Sequence, residues 1–133
     1  MAKVFVVTRY RVPAPESEEF AALAREALAA LAERPGCLEG RVARSIDEPD
    51  LWVLSTRWET VGAYRRALSH PEVKIRAVPL MYRCIDEPTA FEDLLTWGPE
   101  QGLAEHESDL IVEQARVVGE TSSKAVGGGR YAT

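Results

Sequence analysis

The spacing of apolar and polar positions changes several times along the chain. Residues 3–12, KVFVVTRYRV, read as a strand. Val4, Val6, Thr8, Tyr10 and Val12 fall on one face, and Phe5, Val7, Arg9 and Arg11 on the other, because strand side chains alternate. The first half is apolar on both faces, so the strand is expected to be covered on both sides. Pro13 and Pro15 end it. Over 17–34 the period lengthens: Phe20, Leu23, Ala24, Ala27, Leu28 and Leu31 recur at helical spacing. Ser17 is the expected N-cap, Glu18 and Glu19 suit the positive end of the helix dipole, and Pro35-Gly36 is a stop.

Residues 37–46, CLEGRVARSI, predict a second strand with a bulge at Gly40, and Asp47-Glu48-Pro49-Asp50 has turn chemistry. Residues 51–58, LWVLSTRW, predict a third strand that forms a hairpin with the second. Trp52, Leu54, Thr56 and Trp58 share one face; Leu51, Val53, Ser55 and Arg57 share the other. Thr60 can cap a second helix over 61–69, with Ala63, Tyr64, Ala67 and Leu68 inward and Arg65 and Arg66 in water. His70-Pro71 breaks that helix and places His70 near its negative end. Residues 72–78 are expected to add helical turns before Pro79, and 89–97, TAFEDLLTW, to form a last strand. RSIDEPD at 44–50 recurs as RCIDEPT at 83–89. The copies sit at non-equivalent places in the order of elements, which points to a reused turn and not to a duplicated domain.

After Trp97 the character changes. GPEQGLAEHESD is polar, DLIVEQARVV at 109–118 is a short apolar patch that fits a strand or a helix turn, and GETSSKAVGGGRYAT is flexible in composition. The expected organisation is a domain over 1–97 and a C-terminal extension over 98–133, partly flexible or docked on the body or on a partner subunit.

The order β-α-β-β-α-β is that of a ferredoxin-like α+β fold, an antiparallel sheet with helices on one face. Phe5, Val7, Leu51 and Val53 would then face away from the helices. A second copy of the same sheet would cover them in a symmetric homodimer, with Arg9 and Arg11 at the rim, pairing with acidic groups across the interface.

Composition narrows the partners. The 133 residues carry a net charge of −5, with 46% hydrophobic and 28% charged residues, so the chain lacks the basic footprint of a nucleic-acid or anionic-membrane binder. Two cysteines, Cys37 and Cys84, and two histidines, His70 and His106, have no metal-site spacing, so no metal is expected. The cysteines lack a visible activating base. The short apolar run at the N-terminus, interrupted by Arg9 and Arg11, does not read as a signal peptide, and the cytoplasm is the default expectation.

FVVTRYRV, then ERPGCLEGRV after the long helix, then LWVLSTRWETVGAYRRAL resemble the antibiotic biosynthesis monooxygenase family of dimeric α+β barrels. The PGxL turn and the W-E-x-x-x-A-Y pattern carry most of the likeness, which runs over the first 97 residues. The resemblance implies a small aromatic substrate, a phenol, quinol or polyketide-like ring, oxidised with O2 and without a cofactor. In relatives that act on polyketide anthrones the pocket lies between sheet and helices. Trp58 and Tyr64 match its tryptophan and tyrosine, and Arg76 is the candidate for its arginine. Leu54 stands where those enzymes carry an asparagine. Thr8, Tyr10, Trp52, Leu54 and Thr56 are the further substrate-binding positions. Relatives that degrade haem place an asparagine, a tryptophan and a histidine where this chain has Thr8, Ala67 and Ala77, so the axial ligand is missing. Beside these roles, Trp58 and Tyr64 also suit simple core packing and Arg76 a surface position. Two alternatives stay open: a non-catalytic dimer that binds a small ligand or serves as an accessory subunit, and a polyketide cyclase on the same scaffold.

Overall fold

The computed structural model describes residues 2–107, which divide into a main unit, Lys3–Asp93, and a small one that begins at Leu94. The apolar patch at 109–118 lies outside the described residues.

In the main unit a four-stranded antiparallel sheet has the order β2-β3-β1-β4, built from β1 (Val4–Arg11), β2 (Cys37–Arg44), β3 (Leu51–Trp58) and β4 (Ala90–Glu92). This is the ferredoxin-like α+β order, with β3 inserted between β1 and β2. Four helices accompany the sheet: α1 (Ser17–Ala32), α2 (Val61–Leu68), α3 (Pro71–Arg76) and α4 (Val78–Met81). The alternation in β1 resolves as expected. Val4, Val6, Thr8 and Tyr10 are buried, Phe5 and Val7 are half-buried, and Arg9 and Arg11 are exposed. The core joins Val4, Val6, Tyr10, Leu54 and Trp58 of the sheet to Phe20, Ala24, Ala27 and Leu31 of α1 and Ala63, Tyr64 and Ala67 of α2. Alanines on α1 and α2 let the helices sit close to a sheet that carries the large rings.

Two glycines set the helix–sheet spacing. Gly36, after α1, has φ +90°, and a Cβ there would lie 2.6 Å from Ala63 Cβ. Its carbonyl also accepts from Glu59 N at 2.8 Å, which ties the end of α1 to the end of β3. Gly40 is not a bulge: a Cβ there would meet Leu28 Cδ1 at 2.5 Å, so its role is to admit α1. The irregularity in β2 lies between Cys37 and Glu39.

Several local expectations are corrected. Ser17 does not cap α1; its hydroxyl donates to Ala14 O at 2.9 Å, inside a 3-10 turn over Ala14–Glu16 that leads into the helix. His70 faces the start of α3, not only the end of α2: its Nδ1 accepts from Glu72 N at 3.1 Å. Pro79 does not end the helical region but sits in the first turn of α4, where its missing N–H costs no hydrogen bond. The expected strand over 89–97 is two strands in different sheets. β4 pairs with β1, whereas β5 (Leu95–Gly98) pairs with β6 (Gly102–Glu105) in the small unit. There Thr96 Oγ1 and His106 Nε2 are 2.7 Å apart. Thr60 does cap α2, accepting from Ala63 N at 3.0 Å.

Arg9 and Arg11 find their acids within the chain. Arg9 meets Glu87 at 2.7 Å, and Arg11 meets Glu48 at 2.7 Å and Asp50 at 3.3 Å. Glu48 and Glu87 are the equivalent positions of the two IDEP turns, so the repeated tetrapeptide brings a carboxylate to each of two successive outward arginines of β1. No helix among the described residues is long and apolar enough to cross a membrane.

Candidate active site

The second IDEP turn also sets up a cavity. Ile85 N donates to Arg9 O at 2.7 Å and Val7 N to Thr89 O at 2.8 Å. These bonds hold the 84–89 segment along β1 and bring Cys84 and Thr89 beside Thr8. With Leu68 of α2, Lys74 of α3, Val78 and Met81 of α4, and Tyr82, they line a cavity of about 530 Å³. The walls are largely apolar with a few polar groups, as in small-molecule sites generally. Thr8 forms the floor at 3% exposure, and Tyr82, at 85%, stands at the mouth.

The floor is a short hydrogen-bonded chain. Thr8 Oγ1 lies 2.8 Å from Tyr10 Oη and also donates to Leu54 O at 3.3 Å. Thr8 has one hydroxyl proton, so both bonds form together only if Tyr10 donates to Thr8. Burial pushes the Tyr10 hydroxyl up to about 12, with the neighbouring Cys84 and Tyr64 adding to the rise. Tyr10 is therefore a neutral donor at physiological pH. Its ring packs on Phe20 at 5.0 Å, and Phe20 continues to Trp52 at 5.3 Å.

Tyr64 enters from the second turn of α2, and its ring lies 5.7 Å from that of Trp58. Burial raises its pKa, as does the adjacent Cys84. Its hydroxyl makes no hydrogen bond among the described residues, so its proton is free for a ligand. Trp58 is fully buried, and its Nε1 donates to Thr56 Oγ1 at 2.8 Å. Its indole proton is thus already used inside the protein.

The residues singled out in the sequence do not all come together. Thr8 lines the cavity; Tyr10, Leu54, Thr56, Trp58 and Tyr64 are not among its lining residues and belong to the buried layer between sheet and helices. Trp52 stands apart, against Phe20 of α1 and under the Arg44 guanidinium at 5.4 Å, with its buried Nε1 finding no acceptor among the described residues. Arg76 is elsewhere as well: it reaches Glu26 of α1 at 3.1 Å and Glu72 at 3.4 Å, and it does not line the cavity. Lys74, Met81, Tyr82 and Cys84 line the cavity without having been singled out. Helical periodicity over 72–84 could have placed Lys74 and Met81 on one side, but the break between α3 and α4 interrupts that period. Among the described residues no three His, Cys, Asp or Glu side chains converge as metal ligands would.

Comparison with known proteins bears on this arrangement. The family model described as antibiotic biosynthesis monooxygenase matches residues 3–75. SnoaB, a cofactor-independent oxygenase from Streptomyces nogalater, is similar in structure at 24% identity and TM-score 0.55, over 83% of this chain and 98% of that one. A conserved protein from Bacteroides thetaiotaomicron aligns at 14% identity and TM-score 0.61, over 69% and 98%. One from Methanosarcina mazei aligns at 20% identity and TM-score 0.57, over 70% and 92%. At these identities the structural matches speak for the fold. No curated protein matches the chain.

Proposed function

The chain belongs to the antibiotic biosynthesis monooxygenase family, and on that premise we propose that it is a cofactor-independent oxygenase of an aromatic phenol, quinol or polyketide-like substrate. The observation that carries this reading is the cavity between sheet and helices, lined by Cys84, whose neighbour Tyr64 packs its ring 5.7 Å from that of Trp58.

The chemistry asks little of the protein. An electron-rich ring carbon that has lost a proton passes one electron to O2, and the resulting radical and superoxide combine into a hydroperoxide. Where that carbon was a CH2, loss of water leaves a carbonyl, and the second oxygen atom departs in the water. The site must bind a flat apolar ligand, favour its anion and admit O2. Tyr64 donates to the ligand oxygen on which charge develops, so its hydrogen bond strengthens along the reaction. Trp58 supplies a rigid surface behind Tyr64. Leu54 offers the ligand no side-chain polar group, so the polar contacts fall to Tyr64 and to Thr8, Lys74 and Thr89 of the cavity wall. We assign the protein to the cytoplasm and to a homodimer through the outer sheet face, where Phe5, Val7, Leu51 and Val53 are half-buried and Phe91 is 46% exposed.

A second reading, binding without turnover, draws support from the Trp58 proton being consumed by Thr56. Both are tested by one experiment. The purified protein, shown to carry no flavin or metal, is incubated with anthrones and hydroquinones with and without O2. Oxygen uptake above the blank supports the oxygenase. Quenching of tryptophan fluorescence without turnover supports the binder. A product formed without O2 supports cyclase activity instead.

A further inference from the structure

The two ends of the cavity differ in what they can offer a ligand. At the floor, the Thr8 proton is given to Leu54 O and the Tyr10 proton to Thr8 Oγ1. A hydroxyl oxygen has two lone pairs, and Tyr10 uses one of those on Thr8. What Thr8 presents to the cavity is the other, so it is an acceptor. An oxyanion placed there would meet a lone pair and be repelled. A hydroxyl on the ligand would instead complete a run of bonds from ligand to Thr8 to Leu54 O.

Toward solvent the situation reverses. Lys74 lines the cavity, is exposed, and makes no ion pair among the described residues. Its neighbour on α3, Arg76, is neutralised by Glu26 and Glu72. Among the described residues that line the cavity no carboxylate occurs, so none of them competes for the lysine. A fixed positive charge at the mouth and an acceptor at the floor, joined by the apolar surfaces of Leu68, Val78 and Met81, define a polarity.

We propose that the cavity selects a hydroxyarene carboxylate, bound with a phenolic O–H that stays protonated donating to Thr8 and its carboxylate at Lys74, the oxygen on which charge develops being a different one, left to Tyr64. This rests on the cavity being the substrate site, and it adds a direction and a charge to that reading. It also makes Lys74 and Thr8 the specificity-determining residues. A neutral phenol lacks the second anchor, and a phenol ether lacks the first.

Equilibrium dialysis of the full chain against three probes tests it: a hydroxynaphthoate, its methyl ether, and the naphthol without the carboxylate. The hydroxynaphthoate is expected to bind about tenfold tighter than the ether, the equivalent of one well-made hydrogen bond. It should exceed the naphthol by about fivefold, falling as salt is raised, because the ammonium is solvent-exposed. Lys74→Met should erase the preference over the naphthol and leave the preference over the ether. Thr8→Val should do the reverse, with Thr8→Ser restoring the original ratio. Equal binding of the three probes to the unmodified protein, or ratios unchanged in Lys74→Met, overturns the proposal, and neither result depends on whether Thr8→Val folds. Oxygen uptake in the same samples separates the two readings. Turnover of neutral hydroquinones that ignores Lys74→Met keeps the oxygenase and removes this inference. Lys74-dependent binding with no uptake from any probe does the opposite.

Discussion

The hydroxyls of Thr8 and Tyr10 lie 2.8 Å apart, on two buried residues of the helix-facing side of β1. Alternation puts residues i and i+2 on one face, and here that spacing lets the tyrosine oxygen curl back onto the threonine. The pair is a buried acid held neutral. Because the folded-state pKa of Tyr10, about 12, lies above the ordinary 10, the stability it contributes is fully present below pH 10. It is lost as pH rises from 10 through 12. Urea midpoints should therefore fall over that interval in the unmodified protein and fall less in Tyr10→Phe. A midpoint curve of the same shape in both proteins would refute the assignment.

Tyr64→Phe removes a hydroxyl that has no hydrogen-bond partner among the described residues. Folding should be almost unaffected, with a change in unfolding free energy below about 1 kcal/mol, since no hydrogen bond among the described residues is broken. If Tyr64 stabilises the developing oxyanion, kcat should drop by about a hundredfold with KM nearly constant. Stopped-flow oxygen uptake beside a urea melt reads both. Trp58→Ala should show the contrary pattern, with about 3–5 kcal/mol of lost stability from a large core cavity.

Arg76→Ala tests whether the charge on α3 that matters is the one tied to Glu26 and Glu72. Ion pairs of this exposure hold little free energy once solvent screening is counted. We expect kcat/KM for an anionic substrate to stay within about twofold, against a clear loss in Lys74→Met. The comparison is made by initial rates at low and high salt. A large loss in Arg76→Ala would return the charge-balancing role to Arg76.

Gly36→Ala should be among the most harmful single methyl additions in this chain. It combines a φ of +90° with a Cβ 2.6 Å from Ala63 Cβ. Strain and overpacking together should cost about 2–4 kcal/mol, read as a lowered Tm. Gly102→Ala shares a positive φ but has no neighbour among the described residues within 4 Å of its Cβ, so it should cost less.

The outer sheet face should bring two copies together. In Val53→Asp a charge replaces a half-buried valine on that face, opposite Arg9 in the β1 register. The unmodified protein is expected to sediment as a dimer at micromolar concentration and the variant as a monomer. A monomeric unmodified protein refutes the dimer.

The β-α-β-β-α-β order and the inward faces of β1, β3 and α1 were legible because each rests on a local period: two for strands, 3.6 for helices. Boundaries that depend on competition between neighbours were not. Ser17 had the chemistry of a cap, but Pro13 and Pro15 wind the preceding residues into a 3-10 turn that takes its hydroxyl. Pro79 looked like a stop, yet the break at Ala77 makes it the start of α4. TAFEDLLTW alternates too weakly to reveal that its halves join different sheets. For the site, Thr8 was in view on its strand face. Lys74 was not, because its exposure resembles that of any surface lysine, and only the fold shows the cavity beside it.

The repeated IDEP turn shows where the line between sequence and tertiary structure runs. The four residues alone specify a tight turn, because the proline restricts its own backbone and that of the residue before it, and the same residues do so twice. They do not specify that Glu48 and Glu87 flank one strand and meet Arg11 and Arg9, which requires the sheet to bring β1 against both turns. In the same way, alternation determined that Thr8 and Tyr10 share a face. Which of them would give up its proton was decided only when β3 placed the Leu54 carbonyl within reach of Thr8, a contact across 46 residues that no local pattern encodes.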